Sequence, residues 1–251
     1  MSASLVLSAA EQTHVGAVRQ LNEDGLVSRP DIGLFAVADG MGGHGGGDIA
    51  SARVVASLMQ APPPPGAPAF LADFERRIVS VNSDLRALAH ARGAALIGTT
   101  LAALLIHGAH YACIWCGDSR VYLWRRGALR RLTRDHSEVQ DLIDRGILDE
   151  EEAKVWPRRN VVTRALGVAD MPELEIVDGP AQAGDRFLLC SDGLTGHVAD
   201  GELTSALFAP DIAQVARGLI ALTLSRGAKD NVSVVIVECL DGDRTVRMAR
   251  G

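Results

Sequence analysis

Ile32-Gly33-Leu34-Phe35-Ala36-Val37-Ala38-Asp39-Gly40-Met41-Gly42-Gly43-His44-Gly45 is the stretch from which the fold can be read. An uncharged apolar run meets a carboxylate and then a cluster of glycines, as a buried strand does on reaching the edge of a core. Two later runs end alike: Ile114–Cys116 enters Gly117-Asp118-Ser119, and Phe187–Cys190 enters Ser191-Asp192-Gly193. Two further acidic sites precede apolar runs, Glu23-Asp24 ahead of Gly25–Ser28 and Asp230-Asn231 ahead of Val232–Cys239. In antiparallel pairing the start of one strand lies beside the end of its neighbour, so all five sites can collect at one edge.

A single Asp-Gly is an ordinary turn signal. Five acidic sites on strands this apolar ask for more, because a carboxylate at the end of a buried strand is costly unless a positive charge meets it. Clustered like charges repel, and cations would resolve the repulsion. Oxygen donors without thiolates or a His pair select hard ions, Mg²⁺ or Mn²⁺, over Zn²⁺. Gly40-Met41-Gly42-Gly43-His44-Gly45 literally matches G-x-G-x-x-G. It does not read as a dinucleotide loop, because Asp39 would sit where a pyrophosphate must approach and no second strand with a terminal acid follows. The phosphate-cradling loop that ends in Lys-Ser/Thr is absent too. The glycines instead bring backbone close to an ion and set His44 beside it.

Outward from this stretch, strand-like runs occur at Leu5–Ala10, Thr99–His107, His110–Gly117, Arg120–Arg125, Leu129–Leu132, Glu173–Val177 and Asp185–Cys190. The N-terminus, Met1 to Gln12, reads as a first strand rather than a signal peptide. Helical spacing links Ile49, Ala52, Ala56 and Met59, then Leu71, Phe74, Ile78, Val81, Leu85 and Leu88, and later Ile212, Val215, Leu219 and Leu222. Pro62–Pro65 forms a stiff connector. Ser137 to Arg159 is charged and reads as short surface helices. Strands in blocks and helices in pairs predict an α+β fold of antiparallel sheets with helices packed outside.

The 251 residues are 47% hydrophobic, enough for a substantial core. A formal net charge of −6 argues against nucleic acid and against a basic membrane patch, and taken alone would repel an anionic substrate. No apolar run reaches the length of a membrane-spanning helix. Cys113 and Cys116 lie three apart on a strand and so face opposite sides. The four Cys are expected to be small core residues, and a cytoplasmic, reducing environment suits them.

The ordered set of segments resembles the metal-dependent protein phosphatase 2C (PPM) family in its compact bacterial form. The matching stretches are Arg19-Gln20-Leu21-Asn22-Glu23-Asp24, Val37 to His44, Gly98-Thr99-Thr100-Leu101, Gly117-Asp118-Ser119-Arg120, Leu132-Thr133-Arg134-Asp135-His136-Ser137, Asn160 to Gly167, Ser191-Asp192-Gly193-Leu194 and Asp230-Asn231-Val232-Ser233. The resemblance implies a four-layer αββα sandwich of two mostly antiparallel sheets flanked by helix pairs. It implies one catalytic unit over residues 1–240 with a flap-like surface segment at 138–158. Residues 241–251 read as a polar tail.

The resemblance also implies roles. Asp39 would bridge two Mn²⁺ or Mg²⁺ ions, with the Gly40 carbonyl, Asp192 and Asp230 completing their protein ligands. Asp118, shared with Asp192, would hold a third, weaker ion. Glu23, Asp24 and Asn231 would act around the ions through water. Arg19 would grip the substrate phosphate, and His44 would protonate the leaving seryl or threonyl oxygen. The implied activity is hydrolysis of phosphoserine and phosphothreonine by direct attack of a metal-activated water. The implied partners are phosphorylated proteins and a bacterial Ser/Thr kinase, with the enzyme a monomer. A noncatalytic pseudophosphatase that binds partners and a phosphohydrolase of small metabolites are the alternatives. Trp156-Pro157 departs from the His-Pro of many bacterial members, and it falls in the flap-like segment.

Overall fold

The structure is a computed structural model that describes residues 5–42, 45–94 and 96–242. His44, Gly43, the first four residues and 243–251, with most of the expected tail, lie outside the described residues.

Among the described residues eleven strands form two sheets. One comprises β1 (Leu5–His14), β11 (Val232–Asp241), β10 (Arg186–Cys190), β7 (Arg120–Arg125) and β8 (Ala128–Arg131), in that order. The other comprises β2 (Asp24–Arg29), β3 (Leu34–Gly42), β5 (Leu101–His107), β6 (His110–Cys116) and β9 (Glu175–Pro180), with β4 (Ile97–Thr99) also on β3. Every strand pair is antiparallel. Helices α1 (Gly47–Met59) and α2 (Ala67–Arg92) cover the second sheet. Helices α5 (Asp192–Thr195), α6 (Asp200–Ala206) and α7 (Ile212–Ser225) cover the first. The αββα expectation is met.

Period-two alternation builds three stacked cores. On β3, Leu34, Ala36 and Ala38 face the α1–α2 layer, whereas Phe35 and Val37 face the other sheet. On β11, Val235, Val237 and Cys239 enter the same central layer, and Val232, Val234 and Ile236 pack under α7. Both faces of the central strands are buried, so their sequences read as continuous apolar runs. Cys113 and Cys116 enter different cores, and all four Cys are buried and free, as expected.

Three details differ from the sequence reading. On α1 the buried stripe is Gly47, Ala50, Ser51, Val54 and Leu58, while Met59 is exposed. The helix carries small apolar residues nearly all round, so spacing alone admits more than one stripe, and the expected Ile49–Ala52–Ala56–Met59 face is not the core one. The short α5 and α6 have too few turns for a periodic signal. The expected strand Thr99–His107 is interrupted at Thr100, with consequences for the site below. The segment after Ser137 does hold two short helices, α3 (Glu138–Asp144) and α4 (Glu150–Val155). Among the described residues no helix is long and apolar enough to cross a membrane.

Candidate active site

The strand registers carry the acidic residues to one end of both sheets. Asp24 and Asp39 face each other across β2 and β3. Cys116, two residues before Asp118, pairs with Leu101 at the start of β5. Cys190, just before Asp192, pairs with Arg120 and Val234. A cleft of about 380 Å³ opens there, lined by Arg19, Glu23, Asp39, Gly40, Thr100, Asp118, Asn160, Asp192, Asp230 and Asn231 among others. The five acidic sites named from the sequence therefore meet at one edge. Asp24 stands just behind the lining: its carboxylate accepts from Ser191 Oγ at 2.9 Å, and its other oxygen is buried with no partner.

Local devices hold each group. Gly40 N donates to Glu23 O at 3.1 Å, and a Cβ on Gly40 would meet Gly47 O at 2.1 Å, so only glycine lets the start of α1 press against β3 here. Asn231 Oδ1 accepts from Glu23 N at 2.8 Å, and its Nδ2 donates to Val15 O and Leu21 O at 2.9 and 3.0 Å. This amide is fully engaged in fastening the 15–23 loop to β11. The Gly117-Asp118 turn is clamped reciprocally by His136, whose Nδ1 accepts from Gly117 N at 3.1 Å and whose N donates to Gly117 O at 2.9 Å. Arg120 grips Asp135 with both nitrogens nearby. Gly117, at φ +117°, has the Thr100 side chain 2.6 Å from where a Cβ would stand.

Thr100 joins the two halves of this arrangement. Its N donates to Asp39 O at 2.8 Å, its Oγ1 accepts from Asp39 N at 3.0 Å, and the same hydroxyl pairs with Ser119 Oγ at 2.8 Å. Sequence reading placed Gly98-Thr99-Thr100 in the ordered set without a role. Asn160 and Val162, which also line the cleft, were equally silent. A hydroxyl residue in mid-strand opposite an acid is the signal that could have marked Thr100.

The electrostatics are those of crowded anions. Burial, and then neighbouring carboxylates, push Asp39 and Asp118 well above the ordinary carboxylate value. Asp192 is raised for the same reasons, against a hydrogen bond to Asp39 that lowers it. Burial lifts Asp24 to about 6. Arg19, on the exposed 15–23 loop, bonds Asp230 Oδ2 at 2.8 Å.

The residues fit a hard divalent cation by donor chemistry: the acceptors are carboxylates and a main-chain carbonyl, they repel one another, and one buried oxygen of Asp24 lacks a partner. Among the described residues no three acidic, His or Cys side chains converge enough to enclose an ion by themselves. Main-chain carbonyls and water in the open cleft would have to supply the remaining donors. His44 lies outside the described residues.

Residues 13–225 match the family described as Protein phosphatase 2C. The chain is 39% identical over 242 residues to the serine/threonine protein phosphatase PstP of Mycobacterium tuberculosis, covering 96% of this chain and 46% of PstP. It thus spans about half the length of that relative. Among solved structures, PppA, a key regulatory component of T6SS in Pseudomonas aeruginosa, superposes with a TM-score of 0.89 at 40% identity, covering 95% of this chain and all of the other. The catalytic domain of PstP in complex with two manganese ions gives a TM-score of 0.85 at 37% identity, covering 95% of this chain and all of that domain.

Proposed function

The chain belongs to the protein phosphatase 2C family, and on that footing we propose that it is a metal-dependent phosphatase of phosphoserine and phosphothreonine in proteins. The observation that carries the reading is the gathering of Asp39, Asp118, Asp192 and Asp230 with Arg19 around one cleft at the ends of both sheets. Asp39, the Gly40 carbonyl, Asp192 and Asp230 would hold two Mn²⁺ or Mg²⁺ ions, and Asp118 a third. Glu23 and Asp24 would act on them through water. Bound there, two such ions would supply the positive charge that a phosphate needs beside these acids and would lower the pKa of a bound water.

The chain's own groups account for the rest. The guanidinium of Arg19 offers a planar pair of donors to two phosphate oxygens. To do so it turns from Asp230, an exposed pairing that costs little to break. Asn231 holds the loop that carries Arg19, and Thr100 holds Asp39 against the Asp118 turn. His44 would donate the proton that the leaving seryl or threonyl oxygen requires. Attack by water needs no Ser or Cys nucleophile, consistent with four Cys that are all buried, with thiols that burial pushes well up from the ordinary value. The proposed partners are phosphorylated proteins, among them substrates of a Ser/Thr kinase that this enzyme would oppose.

The test is Mn²⁺-dependent phosphate release from a phosphothreonine peptide, with and without chelator. Asp39→Asn and Asp192→Asn should each abolish turnover. Wild-type rates in both variants at saturating metal would sink the assignment. Correct folding with no release from any phosphoester would favour a noncatalytic binding role.

A further inference from the structure

Two of the loops that border the cleft carry large apolar side chains out into solvent. Val18 and Leu21, 65% and 49% exposed, bracket Arg19. Val161, 37% exposed, sits between Asn160 and Val162, which both line the cleft. Single exposed apolar residues are ordinary. These three differ in being set on fixed backbone around an otherwise acidic cleft. Leu21 O accepts from Asn231 Nδ2, and Ala17 N donates to Ala228 O at 2.8 Å. Val161 O accepts from Glu138 N at 2.9 Å, Val161 N donates to Arg158 O at 3.1 Å, and Val162 bridges Ser137. The backbone of both loops is tied down before any ligand arrives, which cuts the ordering cost of binding.

We propose that Val18, Leu21 and Val161 form an apolar rim that selects phosphoprotein segments with aliphatic residues beside the phosphorylated one. The proposal rests on the phosphatase reading above. With the phosphate in the acidic cleft, an extended peptide advances about 3.4 Å per residue, so its next two or three side chains fall within about 10 Å of the cleft. Val18 adjoins the cleft-lining Arg19, Leu21 is two residues from the cleft-lining Glu23, and Val161 lies between the cleft-lining Asn160 and Val162. Apolar patches with polar surroundings are the usual mark of such a contact surface.

The experiment compares wild type with Leu21→Ser/Val161→Ser, both exposed positions whose backbone bonds survive the change. Three probes are used with Mn²⁺: p-nitrophenyl phosphate, a phosphothreonine peptide with Leu and Val flanks, and the same peptide with Gly and Ser flanks. The double variant should lose about tenfold in kcat/KM on the aliphatic peptide, equivalent to about 1.4 kcal/mol. It should keep wild-type rates on the other two. Unchanged preference for the aliphatic peptide overturns the proposal, as does an equal loss on all three probes. If size-exclusion chromatography shows self-association that the variant abolishes, with peptide kinetics unmoved, the rim is a contact between copies and the proposal falls. A folded wild type that turns over none of the probes removes the phosphatase reading itself, and the rim with it.

Discussion

Thr100 stands opposite Asp39 at a break in the ladder between β3 and the strands β4 and β5. The register is continuous on either side, with Gly40 against Thr99 and Val37 against Ala102. At the break, Asp39 N donates not to a main-chain carbonyl but to Thr100 Oγ1, which also meets Ser119 Oγ. One side chain thus links the backbone under Asp39 to the turn that carries Asp118. Thr100→Val keeps the shape and removes the hydroxyl, leaving a buried N–H without a partner at a cost of about 1–3 kcal/mol. Titration calorimetry should show Mn²⁺ affinity falling about tenfold, whereas Thr100→Ser stays near wild type. Equal affinities in Val and Ser variants would deny Thr100 a positioning role.

The acids that would bind metal weaken the metal-free fold. Burial and mutual repulsion raise Asp39 well above the carboxylate norm, so its charged form is disfavoured where it stands. Asp39→Asn removes that charge while the backbone bonds to Thr99 and Thr100 remain. In chelator the variant should melt higher than wild type, by about 2–4 °C for each kcal/mol relieved in a chain of this length. Adding Mn²⁺ should then raise Tm in wild type and much less in the variant. A variant less stable than wild type in chelator would contradict the repulsion.

The same crowding gives the metal-free protein a pH dependence. Asp24, lifted from 3.8 to about 6, binds a proton in the folded state that it would release on unfolding. Its contribution to stability is therefore present at low pH and lost as pH rises through about 6. Between pH 7.5 and 5.5 Asp24 alone should return about 1 kcal/mol. Melting curves in chelator at the two values should show Tm rising toward pH 5.5, and Asp24→Asn should flatten the trend. A fall toward pH 5.5 that is identical in both proteins would remove Asp24 as its source.

The outline of both sheets and of the cleft was legible because it depends on short-range patterns. Apolar runs that end in Asp mark strands whose ends must meet an edge, and antiparallel pairing does the rest. What stayed hidden depends on partners distant in the chain. Asn231 bonds groups more than 200 residues away, so nothing beside it announces that its amide is occupied with the 15–23 loop. Thr100 looks like any β-branched strand residue until Asp39 is seen opposite. The core stripe of α1 was misread because the apolar Ala52 and Ala56 on the opposite face keep the same helical spacing as the buried Ala50 and Val54.

Arg19 is half in solvent, with 53% of its side chain exposed and 40% of its Asp230 partner's, so their 2.8 Å ion pair adds at most about 1 kcal/mol to the fold. Arg19→Ala should leave Tm within about 2 °C of wild type yet raise KM for a phosphopeptide about tenfold or more. Arg19→Lys should recover only part of this, because a point charge cannot present two parallel donors. Steady-state kinetics beside a melting curve decide the matter. A KM unchanged in both variants would take Arg19 out of phosphate binding.

Asn231 can be tested against two readings of its role. Its Oδ1 accepts from Glu23 N and its Nδ2 serves Val15 O and Leu21 O, so every polar atom of the amide holds the loop that carries Arg19 and Glu23. Asn231→Ala leaves those three main-chain groups without their partner. A loss of about 2–4 kcal/mol follows, or roughly 5–10 °C in Tm, with a higher KM because Arg19 is no longer held. Asn231→Asp separates the readings. If Asn231 chiefly steadied water around a cation, a carboxylate would serve as well or better, and Mn²⁺ affinity would be kept or raised. If it is the fastener that its hydrogen bonds describe, Asp loses both N–H donors and faces two carbonyls with negative charge. Asn231→Asp should then destabilise the protein at least as much as Ala. Retained stability together with tighter Mn²⁺ binding in Asn231→Asp would refute the fastener role.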